Sequence, residues 1–336
     1  MSRKKGGTVR TPGAAILAAA SAVGKKEHEG PLGGGFDFFD INDRFGQKTW
    51  EKSESEMQRI ALSGVIGKLG LNEGGIDAIF AGDLLNQCVG SAYGLLEFDV
   101  PYFGLYGACS TAAEGLMLSA MTVSAGLYKK CAAVTSSHNA SAERQYRMPL
   151  EYGGQRPPTA QWTVTGAGAF IVGKASDGTP GALIADVMPG VVVEKGIKDA
   201  SNMGAAMAPA AADTLKRHLF DTGRTVEDYD LIITGDLGSF GSELFLMLLN
   251  DAGIDAGTRH LDCGNIIFSA EQNAVCGGSG CGCSAVTMNG YILPRMDAGE
   301  YNRILFMATG ALMSPTAGLQ GESIPGIAHG VVIERR

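Results

Sequence analysis

Val100-Pro101-Tyr102-Phe103-Gly104-Leu105-Tyr106-Gly107-Ala108-Cys109-Ser110-Thr111-Ala112-Ala113 joins an apolar, strand-like stretch to a long Ala-rich helix and puts a thiol in that helix's first turn. A helix start carries unpaired N–H groups and a partial positive charge, so the placement favours a thiolate, a carboxylate or another anion. The helix that follows has Ala112, Leu116, Ala120 and Val123 on one stripe and Ala113, Met117, Met121 and Ser124 on the next. With nearly every face small or apolar, it belongs inside a layered core. Cys109 then has two readings: a small buried residue filling space beside a sheet, or an anion- or acyl-binding site.

Working outward, strand-like runs alternate with helical ones along the chain, which predicts an α/β layered architecture. The early run Ala14 to Ala20 reads as a buried first strand, Ile76 to Asp83 as a strand closing on Gly82-Asp83, Cys131 to His138 as a third and Thr165 to Gly173 as a fourth. Between the last two lies a polar stretch from Asn139 to Gln161, carrying Arg144, Arg147 and Arg156, that reads as a surface or cavity-covering loop. After residues 174–181 the plan restarts: strand Ala182 to Val187, helix Pro209 to Leu219, strand Tyr229 to Asp236 closing on Gly235-Asp236, and an apolar helix Ser242 to Leu249. A helix from Ala285 to Leu293, stopped by Pro294, and strands Arg303 to Ala308 and Gly330 to Glu334 complete it. Two halves of similar length and element order, 1–178 and 179–336, suggest an internal duplication.

Composition narrows the class. The 336 residues are 45% hydrophobic and 18% charged, enough apolar material for a large core, and the formal charge of −8 argues against a nucleic-acid binder or direct attachment to anionic lipid. Seven cysteines, an odd number without a secretory leader, read as reduced thiols. Ala14 to Val23 is too short to span a bilayer, and no run reaches 18 uninterrupted apolar residues, so membrane contact is expected through partners. His260 and Cys263 followed by Cys276, Cys281 and Cys283 invite a zinc reading, but the stretch lacks a C-x2-C pair and no metal is expected.

The nucleophile turn Gly107 to Ala112, the run Gly46-Gln47-Lys48-Thr49-Trp50-Glu51-Lys52 and the strand Val164 to Val172 resemble the thiolase-like superfamily, which includes the ketoacyl synthases. With Ser137-His138-Asn139, Gly235 to Gly241 and Gly326 to Val331, the chain is similar throughout to its stage V sporulation AD family from endospore-forming bacteria. The resemblance implies a five-layer αβαβα fold of two βαβαβαββ halves, a homodimer, and a pocket where the halves meet. Catalytic members use the helix-start cysteine with His and His or Asn helpers from the second half. Here Thr234-Gly235-Asp236 and Gly278 to Ser284 stand at those positions, with His260 and His329 elsewhere.

Claisen condensation or thiolysis needs a carbonyl-polarising donor and a base. Without them, the resemblance implies a non-catalytic binder of dipicolinate (pyridine-2,6-dicarboxylate), peripheral to the forespore inner membrane, serving the ligand's passage with membrane-embedded partners. The expected ligand site is Cys109, Asp83, Ser137 and His138, where strand ends converge, with no cofactor unless Ca²⁺ accompanies the dianion past Asp83. Asp83 reads equally as a cap, His138 as a structural hydrogen-bonding residue, and the three arginines as a solvated loop. The competing function is an active ketoacyl synthase or thiolase-type acyltransferase using Cys109.

Overall fold

The computed structural model describes residues 7–146, 156–175 and 181–336. Ten strands carry the architecture: β1 (Ala14–Gly24), β2 (Ala78–Gly82), β3 (Tyr102–Leu105), β4 (Lys130–Ser137), β5 (Gly166–Lys174), β6 (Ala182–Met188), β7 (Leu231–Thr234), β8 (His260–Asp262), β9 (Arg303–Ala311) and β10 (Gly326–Arg335). The first five are ordered β3-β2-β4-β5-β1 and the second five β8-β7-β9-β10-β6. In both sets the fifth strand in chain order, β5 or β10, runs antiparallel to its two neighbours, whereas the other pairings are parallel. The same winding twice is the duplication that element order suggested. The sets join where Ala15 faces Leu183 and Ile16 faces Ala182.

Six helices layer these sheets: α1 (Trp50–Lys68), α2 (Thr111–Ser124), α3 (Asn139–Tyr146), α4 (Met203–Thr222), α5 (Gly238–Asn250) and α6 (Cys281–Thr287). The Ala-rich α2 packs on β4 and β5 on one side and on β9 and β10 on the other, with α6 beside it; α1 covers the outside of the N-terminal sheet, α4 that of the C-terminal sheet. The outcome is five layers, αβαβα. Small residues make the narrow central layer feasible: a Cβ on Gly168 of β5 would sit 2.6 Å from the Ala285 Cβ of α6.

Two local expectations are corrected. The helix expected to stop at Pro294 widens into a π-turn over Met288–Ile292 and continues through Leu293–Asp297. Pro294 occupies the first turn of that last piece, where its missing N–H and fixed φ are tolerated. The stretch read as a loop from Asn139 opens as α3, and Trp162–Thr163 pairs with Gly278–Ser279; Arg147 lies outside the described residues. All seven cysteines are buried and free. Among the described residues no helix is long and apolar enough to cross a membrane.

Candidate functional site

After β3 the chain turns through Ala108, which adopts φ 52°. A short 3-10 turn over Ala108–Ser110 then leads into α2. Ser110 Oγ donates to the Gly107 carbonyl at 2.6 Å and Thr111 Oγ1 to the Ala108 carbonyl at 2.7 Å, which holds this uncommon backbone. Strand β9 presses on the turn: a Cβ at Gly310 would lie 2.7 Å from the Gly107 carbonyl oxygen. Cys109 is thereby set at the floor of a cavity of about 320 Å³, walled by Tyr106, Tyr146 and Glu143 and by Met313 to Pro315 from the excursion between β9 and β10. Tyr106 and Tyr146 hydroxyls meet at 3.1 Å, and Tyr146 also donates to the Leu84 carbonyl. Glu143 pairs with Arg156 at 3.4 Å, and that guanidinium lies over Trp162. A second, outer cavity of about 590 Å³ shares Tyr146 and Met313 to Pro315 and carries Arg144 and Lys198.

The charged group beside the thiol is Asp236, at the end of β7. This buried carboxylate accepts from Gly280 N at 2.9 Å, Thr309 Oγ1 at 2.8 Å and Ser279 Oγ at 3.3 Å. Burial nonetheless lifts its pKa to about 6. The Cys109 thiol is pushed well above its ordinary value, first by burial and then by the negative Asp236. The helix-start effect expected to favour a thiolate is therefore outweighed: a terminal dipole contributes about 1 kcal/mol, while desolvation and a facing carboxylate both favour the protonated sulfur.

Of the four residues expected at the ligand site, Cys109 alone lines this cavity. Asp83 is fully buried and accepts from Leu85 N at 2.8 Å and from Ser91 N and Oγ at 2.7 Å each. Burial raises its pKa and that of its neighbour Glu54, the latter to about 8. Glu54 accepts from Ser136 Oγ and Ser141 Oγ, and Gln58 links Ser136 to Ser91. Ser137 Oγ donates to the Val164 carbonyl at 2.7 Å and accepts from Gly282 N at 3.2 Å. His138 Nε2 donates to the Asp43 carbonyl at 2.8 Å while Nδ1 accepts from Ala140 N, and burial keeps the ring neutral. Arg144 pairs with Glu51.

The histidines of the second half are occupied elsewhere. His260 Nε2 donates to Thr234 Oγ1 at 2.8 Å, and His329 Nδ1 accepts from Gly190 N at 3.0 Å. Burial lowers both to about 4. The cysteines of the zinc reading are dispersed: Cys281 donates to the Ser136 carbonyl at 2.9 Å, while Cys276 accepts from Phe240 N at 3.3 Å. Among the described residues no three His, Cys, Asp or Glu gather as a metal site. Sequence reasoning did not assign Asp236, Tyr106, Tyr146 or Glu143 to the site. For Asp236 a signal existed, since Gly235-Asp236 repeats the Gly82-Asp83 ending of the matching strand in the first half.

The fold is similar to that of 3-oxoacyl-[acyl-carrier-protein] synthase III from Aquifex aeolicus (TM-score 0.57, 13% identity, 96% of this chain and 100% of that one). Cerulenin-bound OleA from Xanthomonas campestris is likewise similar (TM-score 0.62, 12% identity, 97% and 100%). The stage V sporulation protein AD of Bacillus subtilis (strain 168) is 46% identical over 321 residues, 95% of this chain and 94% of the relative. The family model for stage V sporulation protein AD matches residues 7–334. A thiolase-like fold wound twice, with this sequence match along nearly its whole length, makes the chain a member of the stage V sporulation protein AD family.

Proposed function

We propose that the protein is a non-catalytic dipicolinate-binding component of the machinery that moves dipicolinate across the inner membrane of the developing spore. It acts peripherally, through membrane-embedded partners, and the Cys109 cavity is the ligand site. The observation that carries the reading is the identity of the group facing the thiol, a buried carboxylate, Asp236. A carboxylate there favours the protonated sulfur and offers no N–H to a carbonyl, so the carbonyl-polarising task of acyl transfer goes unserved. What the cavity does offer suits a flat ring: apolar walls and the Tyr106 and Tyr146 hydroxyls. Glu143 also supplies an oxygen for Ca²⁺ should the ion accompany the ligand. Strand β3, at the sheet edge with Tyr102 and Phe103 exposed, suits pairing with a second copy.

Calorimetric titration with dipicolinate, with and without Ca²⁺, tests the reading: saturable heat lost in Cys109→Trp supports it, and no heat under either condition overturns it. The acyltransferase reading keeps one observation in its favour, a cysteine at a helix start lining a cavity. Incubation with acetyl-CoA separates the two, because turnover through a Cys109 acyl adduct, seen by mass spectrometry, belongs to catalysis alone.

A further inference from the structure

Helix α5 is apolar on the side facing away from the protein as well as on the side that packs. Gly241, Phe245 and Leu249 are buried. Seven residues apart on the opposite side, Phe240 is 42% and Met247 62% exposed, and between them Leu244 is half-buried, packing in part against the core beneath. An outer-layer helix ordinarily turns polar residues to water at these positions. Val275 extends the stripe past the helix start, where Ser239 N donates to the Cys276 carbonyl at 2.9 Å. This β-branched residue is 48% exposed and holds φ 57°, a conformation that its side chain disfavours.

The charge around the stripe selects its occupant. From Thr225 through Thr258 the chain holds no Lys or Arg, while Glu243, Asp251 and Asp255, on and just beyond α5, are exposed. Such a rim repels an anionic bilayer, and a second copy docked by symmetry would set acid against acid. An amphipathic helix with an apolar stripe edged by Lys or Arg satisfies both parts of the surface, and Phe, Leu and Met side chains adapt readily to such partners. We infer that the outer face of α5, with Phe240, Leu244 and Met247 as its apolar stripe and Glu243 and Asp251 as its rim, docks a basic amphipathic helix of a partner protein.

The test uses the full chain and a labelled helical peptide of Leu and Lys, roughly 18 residues long with one apolar stripe, followed by fluorescence anisotropy. Saturable binding is expected, weakened about tenfold or more in Leu244→Lys/Met247→Lys and unchanged in Leu127→Lys, which alters a more exposed apolar residue on the other half. Circular dichroism melts of the variants confirm that they are folded. The inference is overturned if the double variant binds as wild type does, or if a Leu/Glu peptide of the same pattern binds equally well. It is also overturned if phosphatidylglycerol vesicles, or a second copy in sedimentation, engage this face instead.

Discussion

The carboxylate of Asp236, at the end of β7 in the second half, faces the thiol of Cys109, at the start of α2 in the first, while Gly280 N, Thr309 Oγ1 and Ser279 Oγ hold it in place. The carboxylate raises the cost of ionising the sulfur, whereas the thiol eases ionisation of the carboxylate, and burial is the largest cause of the upward shift of both. Removing the carboxylate should therefore waken the thiol. In Asp236→Asn, iodoacetamide should label Cys109 about tenfold faster or more at pH 8, the factor for one unit of thiol pKa. Peptide mapping by mass spectrometry measures the rate, and equal labelling in both proteins would contradict the arrangement.

Asp83 should behave as a structural residue. Its carboxylate serves Leu85 N, Ser91 N and Ser91 Oγ inside the protein. Asp83→Ala leaves these donors unpaired and should cost about 3 kcal/mol of stability, read by urea unfolding. Ala142→Trp, which fills the cavity beside Cys109, should instead abolish dipicolinate heat while leaving a cooperative melt.

The pH dependence of stability follows from the buried acids. Glu27 is buried, accepts from Thr165 N at 2.9 Å, and is raised from 4.5 to about 8, mainly by burial. Between those two values the folded chain holds a proton that the unfolded chain has released. Its contribution is thus complete below about pH 4.5 and declines as pH rises to about 8, by at most about 1.4 kcal/mol per unit. Melting temperature should fall from pH 5 to pH 8, and Glu27→Gln should flatten the decline. A slope unchanged by that substitution would remove Glu27 from the account.

Gly310→Ala places a methyl group 2.7 Å from the Gly107 carbonyl oxygen and 3.0 Å from Ser110 N. Both are backbone atoms that cannot swing aside, so the turn bearing Cys109 must shift, at about 1 to 3 kcal/mol. Thermal unfolding should show the loss, and a melt identical to wild type would mean that β9 yields instead.

Much of the architecture was legible because strands and the Ala-rich α2 write their burial into local pattern. Ala14 to Ala20 and Thr165 to Gly173 read as strands and fall within β1 and β5, apart from the flanking Thr165. The site was less legible because it is made across the duplication. Nothing local to Asp236 says that its carboxylate meets a sulfur more than a hundred residues earlier, and Asp83, with the same Gly-Asp context, turns inward to Ser91 instead. Pro294 misled because it falls in the first turn of the helical piece that follows the π-turn, where its missing N–H costs nothing. The apolar side of α5 was visible as composition, but only the packing of Gly241, Phe245 and Leu249 reveals which apolar residues remain outside.

The seam in which Ala15 and Ile16 face Leu183 and Ala182 binds both five-stranded sets into one hydrogen-bonded whole. Halves stitched in this way cannot swing apart like jaws without breaking the backbone ladder and prising open the shared interior. On the proposed reading, a ligand reaches the cysteine past Met313 to Pro315, the residues that line both the inner and the outer cavity.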